Sequence, residues 1–392
     1  MRRCVVDARA VRRLACGHPW VFSNQVLEPP EGAEPGEVVT IAAAKGGDRE
    51  LGTAFWNPRS LVALRRISAE GREPGRELVR ERLAAALALR RRLFPDSDAY
   101  RLCHGEADGL PGLLVDAYAH VAVVQALSAG MDRLLKEVVA VLVEDLGFGA
   151  VVERDESHAR ELEGLPLRSG TLAGEAPERV EIRVPPMRML VDVISGQKTG
   201  AFLDQRENRQ AAARHARGMR CLDAFCNAGG FAIAAALAGA ESVTAVDASQ
   251  PAIEVAQENA RLNGVLACVR VSVNDASADM EARHRRRERF GLVMLDPPSF
   301  TRSRKHVPQA RRALRDLNRR AMTLVEPGGV IVSSDCSHHV LEATFHELLA
   351  EAAQQAGRVL RVLEVRGPSP DHPWLAAMPE SRYLKCLIAQ VS

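Results

Sequence analysis

The sequence predicts an α/β protein built on a doubly wound, mostly parallel sheet, and three observations carry that prediction. From about residue 186, apolar strand-like runs alternate strictly with helical segments, the pattern of a parallel sheet with crossover helices. Four of the runs, CLDAFCNAGGF, SVTAVDAS, LVMLDPPSF and IVSSDCS, end abruptly in polar or small residues. In such sheets ligands bind at the carboxyl ends of the strands, so these ends should line one cleft. Finally, the last two strand candidates are joined by the loop GPSPDHPWLAAMPES rather than a helix, which lets the final strand run antiparallel.

Taken in order, residues 1–72 contain short strand-like pieces such as EVVTIAAA and SLVALRRIS, broken by Gly and Pro, which suits a small β-barrel. Residues 73–185 read as an α+β domain. A helix with Leu83, Leu87 and an arginine one turn apart precedes two strands in GLLVDAYAHVAVVQAL, a helix near 131–146 and the strand AVVERD. The stretch GLPLRSGTLAGEAPERV reads as a connecting segment punctuated by Gly and Pro. Residues 186–392 form the third domain, with strands at 220–225, 242–246, 268–273, 291–295, 330–334, 359–365 and 383–391. Ser249 before Pro251 is a helix N-cap followed by a first-turn proline. Seven strands ending in an antiparallel hairpin suit a class I methyltransferase sheet better than a nicotinamide-binding one.

A chain of 392 residues exceeds one ordinary core, and 46% hydrophobic with 26% charged residues excludes disorder. The net charge of +2 hides an uneven distribution, because residues 281–320 hold thirteen Arg or Lys against four Asp or Glu. Eight scattered cysteines without a C-x-x-C pair argue against a zinc site or a disulfide framework and suit a reducing compartment. No metal is expected. The longest apolar run, AIAAALAGA, is too short to span a bilayer, so a soluble cytoplasmic protein without membrane partners is expected.

Chemistry concentrates at the strand ends. Asp223 ends the first strand, and Asn227-Ala228-Gly229-Gly230 forms the turn into the next helix, where glycines let a ligand approach the backbone. The G-x-G-x-x-G spacing of a dinucleotide site is absent. An acidic Asp223 would repel a pyrophosphate but suits the ammonium of a methionine tail. Asp247 can accept ribose hydroxyls, Asn274, Asp275 and Ala276 at the end of the third strand are well placed for an adenine edge, and Phe225 and Ala248 are also expected to bind the cofactor. The cofactor implied is S-adenosylmethionine. Upstream, in ISGQKTGAFLDQREN, Gln197, Lys198, Thr199 and Gln205 could close over its carboxylate, with Phe202 stacking on a base.

DPPSF follows the fourth strand of this domain. Asp296 supplies an acceptor, Pro297 and Pro298 stiffen the turn, and Phe300 offers an aromatic face to a planar base. Such turns also occur in enzymes that methylate exocyclic amines, so the motif does not name the atom. Cys336 does, because a thiolate adding to carbon 6 of a pyrimidine turns carbon 5 into a nucleophile. Nearby positive charge, from the cofactor, His338 or the Arg cluster, would help a thiol of ordinary pKa about 8.5 to ionise. Asp335 is a candidate for removing the carbon-5 proton. Cys4, Cys16, Cys103, Cys221, Cys268 and Cys386 are read as small buried hydrophobes, whereas Cys226 lies in the cofactor turn. The basic runs RHRRRERF, RSRK (with Arg302, Arg304 and Lys305) and RRALRDLNRR flank DPPSF in sequence and suit RNA phosphates.

The assembled motifs GHPWVFSNQV, FWNPRS, RLCHGEADGLPGLLVD, GQKTGAFLDQREN, DAFCNAGGF, DPPSF, CSHH and MPESRYLKCL resemble the ribosomal large-subunit methyltransferase I family, which makes 5-methylcytosine in 23S rRNA. The resemblance spans nearly the whole chain. It implies an N-terminal PUA barrel that binds RNA, a linking α+β domain and a class I methyltransferase domain in which Cys336 matches the nucleophile. It also raises a homodimer as an expectation. Two other readings stay open: methylation of a guanine nitrogen in rRNA, and a non-catalytic RNA-binding or assembly factor.

Overall fold

The computed structural model describes residues 1–44, 49–301 and 304–392, without the side chain of residue 304. The chain packs into two compact units. One comprises Met1–Ile182, Val191–Leu203 and Pro370–Ser381, and the other Arg183–Leu190, Asp204–Ser369 and Arg382–Ser392.

The first unit opens with β1 (Arg2–Val6), α1 (Ala8–Ala15), β2 (Trp20–Phe22), β3 (Val26–Glu28), β4 (Val38–Ala43), β5 (Glu50–Trp56) and β6 (Val62–Ser68). Asp7 starts α1 by accepting the Ala10 amide at 2.8 Å. The strands lie in the order β2-β6-β5-β4-β1-β3, antiparallel apart from the β1–β4 pair. Cys4, Val6, Val21, Ile41, Trp56 and Leu64 fill their core. Next come α2 (Arg76–Leu93), β7 (Ala99–His104), β8 (Leu113–Tyr118), β9 (Val121–Ala126), α3 (Ala129–Arg133), α4 (Leu135–Ala140), β10 (Ala150–Asp155), α5 (His158–Leu162) and β11 (Arg168–Ala173). They build a five-stranded sheet in the order β11-β10-β9-β8-β7, in which β8 and β9 form the hairpin expected from GLLVDAYAHVAVVQAL.

Strands β7 and β11 go beyond the sequence reading. β7 carries charge inside the sheet because Arg101 holds Asp116 of β8 through two bonds of 2.6 and 2.9 Å. β11 is a half-exposed to exposed edge strand with no apolar face to reveal it. β12 (Arg179–Val184) and β13 (Met187–Asp192) then form a two-stranded ribbon.

The second unit contains α6 (Arg206–Ala213), β14 (Arg220–Ala224), α7 (Gly230–Leu237), β15 (Ser242–Asp247), α8 (Gln250–Leu262), β16 (Val269–Val273), α9 (Ala276–Arg285), β17 (Phe290–Leu295), α10 (Val307–Leu324), β18 (Val325–Asp335), α11 (Glu342–Gln355), β19 (Leu360–Arg366) and β20 (Lys385–Val391). The seven strands follow the order β16-β15-β14-β17-β18-β20-β19. All are parallel except β20, which runs antiparallel to both β18 and β19. Ser249 caps α8 with Pro251 in its first turn, as its sequence indicates.

Alternate residues of one strand feed opposite cores. Val293 and Leu295 pack with Leu314, Ile331 and Phe345, while Leu292 and Met294 pack with Phe231, Val243 and Ile253. Burial on both faces is why these strands read as continuous apolar runs. The strand order reverses between β14 and β17, where an open α/β sheet forms its ligand crevice.

Candidate active site

In the ladder, Ala224 of β14 pairs with Val246 of β15 on one side and Leu295 of β17 on the other. Three neighbouring strands therefore deliver Asp223, Asp247 and Asp296 to one edge. Beyond Ala224 the backbone turns through left-handed residues at Phe225 (φ 67°), Asn227 (φ 47°) and Gly229 (φ 81°). Side chains rarely adopt that region unless the surroundings impose it. Here the Cys226 amide bonds the Val246 carbonyl at 3.0 Å, and the Asn259 side-chain amide bonds the Ala228 carbonyl at 3.1 Å. Asp247 accepts the amides of Asn227 and Ser249, both at 2.9 Å, so one carboxylate joins the turn to the end of β15.

Asp223 is fully buried, with one oxygen accepting the Ala232 amide at 2.8 Å and the other, Oδ1, receiving no hydrogen bond. Burial pushes its carboxyl up to about 7, and Asp296 and Asp247 add to that against the Ala232 amide and Arg209. A buried acceptor lacking a donor, beneath a turn of left-handed backbone, fits a ligand that brings an ammonium group.

Arg209 was not singled out by sequence. It is buried, and a Cβ on Gly230 would come within 2.5 Å of its Nε, so the glycine makes its place. Its charge faces Asp296, Asp204 and Asp223. The available signal was its position one helical turn beyond Gln205.

The third strand end is more open. Asn274 and Asp275 are exposed, the Asn274 amide donates to the Asp247 carbonyl at 2.9 Å, and Asp275 caps α9 through the Ala278 amide at 2.8 Å. Ala248 is exposed and Ala276 buried.

Gln197, Lys198, Thr199 and Phe202 belong to the first unit. Gln197 and Lys198 are exposed, and the Lys198 ammonium lies 4.4 Å from the Phe202 ring centroid. Thr199 is buried and donates its hydroxyl to Asp116 at 2.5 Å, so it anchors the loop from beneath. Gln205 belongs to the second unit and meets Asp296, donating Nε2 to Oδ1 at 2.7 Å. Its own oxygen accepts from Asn208 at 2.6 Å, which fixes the amide's orientation.

At the reacting end, Pro297 is buried, Pro298 is exposed, and half-buried Phe300 leans on the core. Lys305 is exposed, while Arg302 and the Arg304 side chain lie outside the described residues. Cys336 follows the last residue of β18 and is half-buried. Leu295 pairs with Ser333, so the DPPSF loop and the Cys336 loop leave adjacent strands, and Ser299 bonds Ser337 between hydroxyls at 3.2 Å.

The remaining thiols differ. Burial pushes Cys221 and Cys386 up to about 12 and, with Asp223 and Asp247, raises Cys226 well above its ordinary value. Cys16 is exposed and Cys268 half-buried, contrary to the expectation of burial.

Two expectations are corrected. Asp335 is buried, with Oδ1 accepting the Ser337 amide at 3.1 Å and Oδ2 lying 2.8 Å from the Lys385 ammonium, so it is not an open base. The run RHRRRERF does not flank the site. It precedes β17 and DPPSF follows it, which puts them at opposite edges of the sheet, about 17 Å apart along the strand. Arg283 is taken up by Asp279 at 2.5 Å and Glu288 at 2.7 Å, and Arg286 by Glu288 at 2.8 Å.

Residues 167–386 match the model of the S-adenosylmethionine-dependent methyltransferases, and residues 5–69 match a PUA-like domain. Sheet, turn and match together define a methyltransferase that uses S-adenosylmethionine. A methyltransferase solved with SAH covers 100% of both chains at a TM-score of 0.86 and 22% identity, and a SAM-dependent methyltransferase from Streptococcus mutans does so at 0.84 and 22%; both show the same fold. Two relatives called "Ribosomal RNA large subunit methyltransferase I" cover 95% of this chain and of their own length. That from Shewanella amazonensis is 38% identical over 380 residues, and that from Erwinia tasmaniensis 36% over 379. This chain belongs to the ribosomal RNA large subunit methyltransferase I family.

Proposed function

We propose that this protein methylates carbon 5 of a cytosine in 23S rRNA in the cytoplasm, with Cys336 as nucleophile. The observation that carries the reading is the half-buried Cys336 at the end of β18, joined through Ser299 and Ser337 to the loop that begins at Asp296.

S-Adenosylmethionine, when bound, supplies an electrophilic methyl group. Asp223 would take its ammonium and Asp247 its ribose, with Phe225, Ala248, Asn274, Asp275 and Ala276 around the adenine.

The Cys336 thiolate adds to carbon 6 of the cytosine, which makes carbon 5 electron-rich. Carbon 5 takes the methyl group, then loses its proton, and the electron pair left behind expels the thiolate. Asp296, steadied by Gln205, would hold the cytosine N3 or N4 edge in its protonated form, while Pro297, Pro298 and Phe300 would flank the ring and Lys305 with its arginine neighbours would meet phosphate. Because Asp335 is engaged by Lys385, the carbon-5 proton leaves to another acceptor. The target base must be unstacked to reach Cys336, and the PUA-like domain adds RNA contact.

Replacing Cys336 with Ala should abolish methylation of cytosine carbon 5, mapped by nuclease digestion and mass spectrometry of 23S rRNA, and leave calorimetric binding of S-adenosylmethionine intact. Methylation of a guanine nitrogen that survives in Cys336→Ala would favour the nitrogen reading. A wild-type chain that binds no cofactor would favour an assembly factor.

A further inference from the structure

The tail motif MPESRYLKCL has no role in the reaction described above, yet its second half, from Arg382 onward, packs against the segment that follows Cys336. Lys385 opens β20 opposite Asp335, the last residue of β18, in the antiparallel ladder. Its side chain is only 6% exposed. The ammonium donates to the carbonyls of Ser337 at 2.7 Å and Val340 at 2.8 Å, and it neutralises Asp335, whose Oδ2 lies 2.8 Å away. Cys336 thus sits between a carboxylate and a carbonyl that one buried cation holds together. Two neighbours support the same loop. Tyr383 packs its ring 5.5 Å from that of His338 and donates to Asp204 at 2.5 Å, and Arg382 pairs with Glu342 at 2.9 Å.

A carboxylate just before Cys336 and two carbonyls just after it, all drawn to one buried ammonium, fix where the thiol between Asp335 and Ser337 points. Fixed geometry at the attacking atom is worth far more in rate than in binding. The charge matters as well. Without Lys385, Asp335 would be an unpaired buried carboxylate beside Cys336, and a like charge disfavours the thiolate.

We propose that Lys385 is the positioning residue of the nucleophile, setting the Cys336 loop and cancelling the charge of Asp335 beside it. This rests on the reading of Cys336 as nucleophile.

The test compares single-turnover methylation of 23S rRNA fragments, calorimetric affinity for S-adenosylmethionine, and the pH dependence of Cys336 alkylation by iodoacetamide. Lys385→Met should slow methyl transfer by about 100-fold and move alkylation to higher pH, while cofactor affinity stays within about 3-fold, since Asp223 and Asp247 are untouched. Lys385→Arg, which can still donate to both carbonyls, should recover most of the rate. The double variant Asp335→Asn/Lys385→Met buries no unpaired charge, so it remains testable if Lys385→Met fails to fold. It should restore the alkylation profile and stay slow. Wild-type rates in Lys385→Met or the double variant would overturn the proposal, as would a loss of cofactor affinity in parallel with rate. Full carbon-5 methylation by Cys336→Ala in the same assay would instead sink the nucleophile reading, whatever Lys385 does.

Discussion

Asp223, proposed above to take the ammonium of the cofactor, is unsuited to carry charge in the free protein and suited to that ligand. Burial raises its carboxyl to about 7 from an ordinary 3.8. An acid whose folded-state pKa lies above its unfolded value binds a proton more readily when folded. Its contribution therefore favours folding below the ordinary pKa and is lost as pH rises to the folded value. A cationic ammonium reverses this, because it needs the carboxylate. The affinity for S-adenosylhomocysteine, titrated calorimetrically, should accordingly strengthen between about pH 6 and 8, and Asp223→Asn should flatten that dependence. A pH dependence of equal slope in Asp223→Asn would remove Asp223 from the ammonium site. Asp223 and Asp247 were legible in the sequence because acidic residues at successive strand ends fall into register. Arg209 and Lys385 were not. A cation in a helix or at the start of a strand gives no sign of burial until the fold brings Gly230 or Asp335 to it.

Among the elements, legibility followed burial. β14, β15, β17 and β18 are covered on both faces and read as apolar runs. β12, with its strict alternation of exposed and buried residues, begins at the end of the stretch read as connection and went unread, because the Gly and Pro just before it outweighed its period of two. Chain direction also decides which basic segments can serve the site. α9 starts at the carboxyl edge of the sheet and returns to the amino edge, so Arg285 and Arg287 sit far from Cys336 and are exposed there. α10 leaves from the carboxyl edge itself and carries Arg311 and Arg312 in its opening turns. Single-turnover rates of Arg285→Gln/Arg287→Gln should stay within about 2-fold of wild type, whereas Arg311→Gln/Arg312→Gln should bind RNA more weakly, with a log–log salt slope smaller by roughly 0.7 per lost contact. The opposite ranking would mean that RNA is held along the amino edge.

At the scale of the whole molecule, the first unit joins what the sequence divides. Phe55 and Ile67 of the N-terminal sheet share a core with Leu78, Leu83, Leu102 and Val115, and a Cβ on Gly130 would lie 1.9 Å from the Phe55 ring. Polar contacts continue that seam. Trp20 donates to Glu106 at 2.7 Å, Arg65 pairs with Glu106 and Glu163 at 3.1 Å each, and Asn57 bonds the Glu163 carboxylate at 2.9 Å. Burial raises the Glu163 carboxyl, but Arg65 and the hydroxyl and amide around it hold it below its ordinary value, so this charge is retained only while its partners remain. A PUA-like barrel so fastened is not a bead on a linker. Truncating Phe55 to Ala should cost about 3–5 kcal/mol, and Arg65→Met, which strands two carboxylates in a partly dry seam, a comparable amount. Because the seam belongs to both sheets, calorimetry should show one transition for the first unit that shifts as a whole in either variant. A separate barrel transition, moving while the second sheet melts unchanged, would show that the two sheets are independent modules and that the seam carries no cooperativity.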